Sequence, residues 1–266
     1  DGSLPALSSL PPGTLGPDGV RDLQVYTYFD SRSAAPLQAM LDAVPGLKPS
    51  DLAKGYLAVC LPDHPQVLQG PLLDLLGVRY VLATSPLQHA GARVLADWRP
   101  IGGEYFVYER PSPCPRAFVV DRITPLATDD KVVKALAAPT FAPRGTAFAL
   151  ADDLQHSGAA DHGASGASAR EVKFALDHAN AIDLEVAAGP AGWLVLTDTF
   201  APGWTATVDG TAVPMLRVDH ALRGVPLPAG SCTVAFRYVP PRQLLGFALT
   251  GIATIAAIWV LWRSRN

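Results

Sequence analysis

The run "LVLTDTFAPGWTATVDGTAVPMLRVDHALRGVPLPAGSCTVAFRYVPP", Leu194 to Pro241, decides the fold. Trp204, Ala206 and Val208 fall on one side of an extended segment, and Cys232, Val234 and Phe236 on one side of another. A period of two marks a strand with one face buried. The segments are separated by "APG", "DG" and "PAG", residue types that supply the positive φ values tight turns require. Asp209-Gly210, between "WTATV" and "TAVPM", is the strongest hairpin signal, because a type I′ turn needs two consecutive positive φ values.

The same period continues upstream. Val172, Phe174 and Leu176 share a face in "EVKFALD", as do Ile182, Leu184 and Val186 in "AIDLEVA". With "WLVLTDTF", "WTATV", "TAVPML", "LRGVPL" and "CTVAFRYV" they make seven short strands. The pattern predicts an antiparallel β-sandwich of immunoglobulin-like size over residues 170–241.

Downstream, Leu244 to Trp262 are 19 residues without a charge. As a helix they would span roughly 28 Å, close to the ~30 Å hydrocarbon core of a bilayer. The run is apolar all round, and Trp259 and Trp262 stand where an interfacial aromatic belt would lie. A transmembrane helix with a short tail is therefore predicted over residues 242–266 in preference to a buried core helix. Arg263 and Arg265 follow the run and Arg242 alone precedes it. The positive-inside rule then puts the C-terminus in the cytoplasm and residues 1–241 outside it.

Residues 155–169, "QHSGAADHGASGASA", have no apolar period and read as a flexible linker. "GASGA" approaches a G-x-S-x-G nucleophile elbow around Ser165, but Ala167 stands at the second glycine and no strand precedes it. His156, Asp161 and His162 are metal-binding residue types, yet a loop offers them no orienting partners. Residues 1–154 mix the two periods and predict an α+β domain. "SAAPLQAMLDAV" (33–44) and "PQVLQGPLLDLLG" (65–77) have helical spacing, the second ending in Gly77 at a C-cap position. "VRYVLATS", "EYFVYERP" and "RAFVVDRI" read as strands. "TDDKVVKALAA" from Thr128 opens a helix. Asp129 and Asp130 suit its N-terminal turn, which accounts for them without an acid–base dyad.

A chain of 266 residues accommodates two domains, and its 23 glycines and 25 prolines argue for many turns. The net charge is −3 and no Lys/Arg cluster occurs before the last four residues, which argues against nucleic acid as a partner. The chain begins at Asp1, with methionines only at 40 and 215, so it is expected to be part of a longer protein. "DGSLPALSSLPPG" has neither the basic nor the apolar region of a signal peptide. Among the three cysteines there is no C-x-x-C. Cys232 reads as a small buried hydrophobe, while Cys60 and Cys114 could pair if the compartment is oxidising.

The order strand, Asp-Thr, Pro-Gly-Trp, strand, Asp-Gly, strand, Arg-Gly-Val, Leu-Pro-Ala-Gly, strand, Tyr-x-Pro, membrane run closely resembles the C-terminal end of the YfhO family of bacterial multi-span membrane proteins. "LLDLLGVRYVLA" (72–83) resembles that family's leucine-rich helix and following strand, and "SSLPPG" and "YFDSRS" fit it loosely. The matching positions are Asp198, Pro202, Gly203, Trp204, Asp209, Gly210, Arg223, Gly224, Gly230, Tyr238 and Pro240. The resemblance implies a GT-C type glycosyltransferase that takes a polyprenyl-phosphate-linked sugar as donor and a cell-envelope polysaccharide or teichoic-acid-like polymer as acceptor. In that class the catalytic carboxylate sits in an early external loop. The present chain is therefore expected to be non-catalytic and acceptor-organising, with no cofactor and no metal of its own.

Each matching position also has a structural reading. Pro202-Gly203 and Gly230 make turns, Trp204 fills the sandwich core, and Asp198 caps a turn or pairs with Arg223 or Arg237. The functional reading is that Trp204, Asp198 and Arg223 form a rim that stacks on a sugar and hydrogen-bonds its hydroxyls. The rival from another class is a non-enzymatic, membrane-anchored envelope module with a carbohydrate- or protein-binding β-sandwich. A soluble hydrolase with an attached anchor lacks the Ser/His/Asp, paired-carboxylate or metal pattern it would need.

Overall fold

A computed structural model describes residues 69–83, 93–98, 105–158 and 169–240, together with 250, 251, 253–255, 259, 260 and 263 of the terminal run. The expected helix over 33–44, residues 159–168 of the expected linker, Cys60, and most of the expected membrane helix lie outside the described residues.

A short helix, α1 (Pro71–Leu75), starts at a proline and buries Leu72, Leu73 and Leu75; Gly77 follows at φ 69°, the left-handed conformation that ends helices. Three strands, β1 (Tyr80–Ala83), β2 (Arg93–Trp98) and β3 (Tyr105–Glu109), form a small antiparallel sheet in the order β1-β3-β2. Next come β4 (Ala117–Val120), β5 (Arg122–Leu126), helix α2 (Asp129–Ala137), β6 (Thr146–Leu150) and helix α3 (Ala151–Ser157). Thr128 caps α2 by accepting from the Lys131 amide at 3.4 Å, as its sequence requires. The C-terminal part contributes β7 (Val172–His178), β8 (Ala181–Val186), β9 (Gly192–Thr199), β10 (Trp204–Val208), β11 (Thr211–Val213), β12 (Leu216–Val218), β13 (Leu222–Leu227) and β14 (Cys232–Tyr238).

These strands build two facing sheets. One is five-stranded, β11-β10-β14-β8-β7; the other is six-stranded, β4-β9-β13-β12-β6-β5, antiparallel except where β5 runs parallel to β6. Ile182, Leu184, Val208, Val234 and Phe236 from the first sheet meet Val119, Leu194, Leu196, Val225 and Leu227 from the second. The far side of the six-stranded sheet carries Phe118, Val120, Trp193, Val195 and Val218 against Leu72, Leu73 and Leu75 of α1 and Val132 and Leu136 of α2. The larger sheet is thus covered on both faces. That explains why "AFVV" and the first five residues of β9 are buried without alternation, whereas β8 and β14 alternate.

The β-sandwich is present, and it draws on more of the chain than residues 170–241. The expected boundary at residues 155–169 divides the sequence, while the six-stranded sheet runs across it: β4, from the first half, pairs with β9 from the second. Residues 155–157 are helical, in α3, which ends at Gly158 with φ 62°. "TAVPML" also differs from its single-strand reading. It is two strands either side of Pro214, β11 in the five-stranded sheet and β12 in the six-stranded one. A proline has no N–H to continue a ladder, so the chain changes sheets there. The Asp209-Gly210 turn has φ 48° and 78°, as a type I′ turn demands, and the Asp209 carboxylate accepts from the Thr233 amide at 2.8 Å and its hydroxyl at 3.0 Å.

Arg170 is buried and works as an internal clasp. Its guanidinium donates to the carbonyls of Ala187 (2.8 Å), Pro190 (3.0 Å), Pro228 (2.9 Å) and Gly230. It thereby fixes the two turns that close the end of the sandwich where β8 finishes and β14 starts. A Cβ on Gly189 would lie 2.5 Å from Arg170 Cγ, so the clasp requires glycine there.

Among the described residues no helix is long and apolar enough to cross a membrane. The described positions of the terminal run are helical and exposed, Ile255 at 70 % and Trp259 at 52 %, and Thr254 Oγ1 donates to the Thr250 carbonyl at 2.8 Å. Cys114 and Cys232 are buried free thiols.

Candidate functional site

At one end of the sandwich an open cleft of about 520 Å³ is lined by Arg116, Asp177, His178, Thr197, Asp198, Thr199, Trp204 and Arg223, with Ala179 and Ile182. Strand register places these residues at a single pole. Trp204 at the start of β10 faces Tyr238 at the end of β14, and Ala181 at the start of β8 faces both Arg237 and His178.

An irregularity in the ladder aims two of the side chains. Leu222 pairs with Thr199, but the next residue, Arg223, pairs with Leu196. Thr197 and Asp198 are therefore extra residues on β9, and a bulge of this kind re-aims the side chains it carries. Both point into the cleft. A second bulge, between Phe174 and Leu176 of β7, precedes Asp177.

Asp198 is held by Arg116, whose Nε donates to Oδ1 at 2.8 Å and Nη2 to Oδ2 at 2.6 Å. The third donor, Nη1, reaches Asp177 Oδ2 at 2.7 Å. Burial works against the Arg116 charge, but these hydrogen bonds and the two carboxylate charges outweigh it and raise its pKa. Arg223 is more deeply placed. Its Nε donates to the Thr199 carbonyl at 3.0 Å. Its Nη1 is 3.9 Å from Asp198 Oδ2 and makes no hydrogen bond. Burial, only partly offset by Asp198 and reinforced by the nearby Arg116, pulls its pKa down to about 10, so it stays charged at neutral pH.

The Arg223 guanidinium stacks 3.9 Å from the Trp204 ring centre, and Trp204 in turn meets Tyr238 with centroids 5.3 Å apart. At the other end Arg116 lies 4.9 Å over the Phe174 ring. The result is a row: Phe174, Arg116, Asp198, Arg223, Trp204, Tyr238. Arg116, Asp198 and Arg223 come from the six-stranded sheet or its edge, the aromatics from the five-stranded one. The row closes this end of the sandwich much as Arg170 closes the other.

The structure brings Asp198, Trp204 and Arg223 together. It also revises their individual readings. Trp204 sits partly buried at the mouth, packed against the edge of the core, and one face of its indole is taken by Arg223. Asp198 is bound chiefly by Arg116, and Arg237 pairs with Asp183 instead. Arg116, Asp177 and Phe174 were missed as site residues because their partners are 61 and 82 residues away in sequence or across a sheet. The Arg just before "AFVV" was the available signal.

The cleft offers hydrogen-bond donors and acceptors without a reactive pair. Arg116 occupies oxygens of both carboxylates, and among the described residues no group of His, Cys, Asp and Glu could hold a metal ion. His156 Nδ1 lies 2.6 Å from the Asp152 carbonyl in α3 and does not line the cleft. Asp129 is a tether, 2.8 Å from Arg217 Nη1 and 3.3 Å from His220 Nδ1. Burial would raise its pKa, but Arg217 and His220 outweigh that and hold it below the usual carboxylate value.

The described residues thus form a β-sandwich with a polar, aromatic-backed cleft at one pole. Residues 166–250 match the family model described as bacterial membrane protein YfhO, so this part of the chain is a YfhO-family segment, as its motifs implied. The family is one of bacterial membrane proteins. The match covers about a third of the chain and takes in every cleft residue except Arg116; Leu72–Ala83 lies outside it. No curated protein and no solved structure matches the chain.

Proposed function

We propose that this chain is the non-catalytic, extracytoplasmic portion of a membrane-associated, glycosyltransferase-like protein, anchored through Leu244–Trp262, and that its cleft holds a hydroxyl-rich cell-envelope polymer as acceptor. The protein it serves would take sugar from a polyprenyl-phosphate-linked donor at a centre formed by other residues. The observation that carries this reading is the constellation Arg116, Asp177, Asp198 and Arg223 at the mouth of the cleft, inside or beside the YfhO-family segment. Planar charged groups held rigidly by one another suit bidentate hydrogen bonding to vicinal hydroxyls. In this reading Trp204 orients Arg223, and a sugar meets the carboxylates and Arg116 rather than the indole face.

The test is binding of purified teichoic acid and wall polysaccharide to the 266-residue chain and to Asp177→Asn and Asp198→Asn. Asp177 is 42 % exposed, so its variant should fold normally. A loss of about tenfold in affinity, or 1.4 kcal/mol, is expected for each. Unchanged affinity in both variants would remove the cleft from the function.

A further inference from the structure

Every strand end that frames the cleft lies at the pole from which the chain departs toward Leu244. Tyr238, the last residue of β14, pairs with Trp204 beside the cleft, and the Val239 amide donates to the Gly203 carbonyl at 2.9 Å. From Tyr238 to Leu244 is six residues, at most about 20 Å of extended chain. Pro240 and Pro241 bias the residues before them, Val239 and Pro240, to extended backbone and so against a turn back along the sandwich. The opposite pole, clasped by Arg170, is the length of β14 away, seven residues or roughly 20 Å.

The chemistry of the cleft pole fits an interface between water and lipid. Trp204 and Tyr238 form an aromatic pair with polar tips, Val239 is 56 % exposed, and Pro202 is exposed beside them. Such amphipathic aromatics concentrate at headgroup height. The charges at this pole are matched: Arg116 and Arg223 with Asp177 and Asp198, Arg237 with Asp183. The surface therefore does not depend on anionic lipid for attraction.

We propose that the cleft pole is the bilayer-facing surface of the domain and that its partner is the polar headgroup layer, so that whatever the cleft binds is held at the membrane surface. This rests on the anchoring of Leu244–Trp262 given above. Fluorophores on Ala179→Cys, at the cleft, and Ala229→Cys, in the turn before β14, report the two poles; Cys60→Ser removes the competing thiol, since Cys114 and Cys232 are buried. The 266-residue chain is reconstituted in phosphatidylcholine vesicles carrying headgroup nitroxides. The Ala179 site should be quenched several-fold more strongly than the Ala229 site. Equal or reversed quenching in alkali-resistant protein would overturn the orientation while leaving the anchor. Release of the chain by alkali would overturn the anchor and the orientation with it.

Discussion

At the scale of single residues, Arg116 does the most. It joins two carboxylates and an aromatic ring, from two strands of opposite sheets, through one planar group. Lysine offers a point charge and cannot reproduce that fork. Arg116→Lys should therefore lower stability almost as much as Arg116→Ala, by about 1–3 kcal/mol in urea unfolding. Trp204→Ala should cost about 2–3 kcal/mol, below the ~3–5 of a fully buried tryptophan, and Trp204→Phe should recover part of it by keeping a face for Arg223. Asp219 sets the pH response. It is buried at φ 47°, accepts from the Phe148 amide at 2.8 Å through Oδ1, and burial pushes its pKa up to about 7 despite that bond. The folded state then holds a proton that the unfolded chain releases above about pH 4. Its contribution to stability is full below that pH and falls by a few kcal/mol as pH rises to about 7. Asp219→Asn, which tolerates the same backbone, should flatten the fall in melting temperature across that window. Asp129, with its depressed pKa, acts in the opposite sense and only at lower pH, where its stabilising contribution is lost by protonation.

At the scale of elements, the six-stranded sheet is packed tightly enough to dictate a glycine. A Cβ on Gly224 of β13 would lie 2.5 Å from Val218 Cγ1 of β12, and both residues are buried. Gly224→Ala should cost about 1–3 kcal/mol, and Val218→Ala should be less damaging in that background than alone, a coupling that a double-mutant cycle measures. The hairpin at Asp209-Gly210 and the strands around it were legible because turn chemistry and period two are local signals. The bulge at Thr197 and Asp198 was not, since an extra residue opposite a partner is a property of two strands and leaves no mark in either alone. Nor was the change of sheet at Pro214, where the proline was visible but not the second sheet waiting for β12.

At the scale of the whole molecule, the sandwich and its helical cover form one folding unit. Removing residues before 159 would strip β4, β5, β6, α1 and α2 from the larger sheet and bare Trp193, Val195 and Leu222, all buried. A fragment of residues 166–240 should aggregate or melt well below one that begins at residue 69, a comparison that scanning calorimetry and light scattering make directly. The sequence period implied a sandwich confined to 170–241, because alternation reports only strands with one wet face. Strands covered on both sides, "AFVV" and "GWLVL", lose that alternation and with it their address. Of the site, Asp198, Trp204 and Arg223 were legible from motif order, and Arg116 was not, because nothing near it in sequence names its partners. The Arg170 clasp has a consequence for how the chain can be re-engineered. Gly158 is the exposed end of α3, and Arg170 is held by its own carbonyl contacts, so the clasp does not rely on the segment between them. Each doubling of that segment's length should cost only about 0.6 kcal/mol. A reporter protein spliced between them, or new termini opened there with the old ones joined elsewhere, should leave both poles of the sandwich as they are.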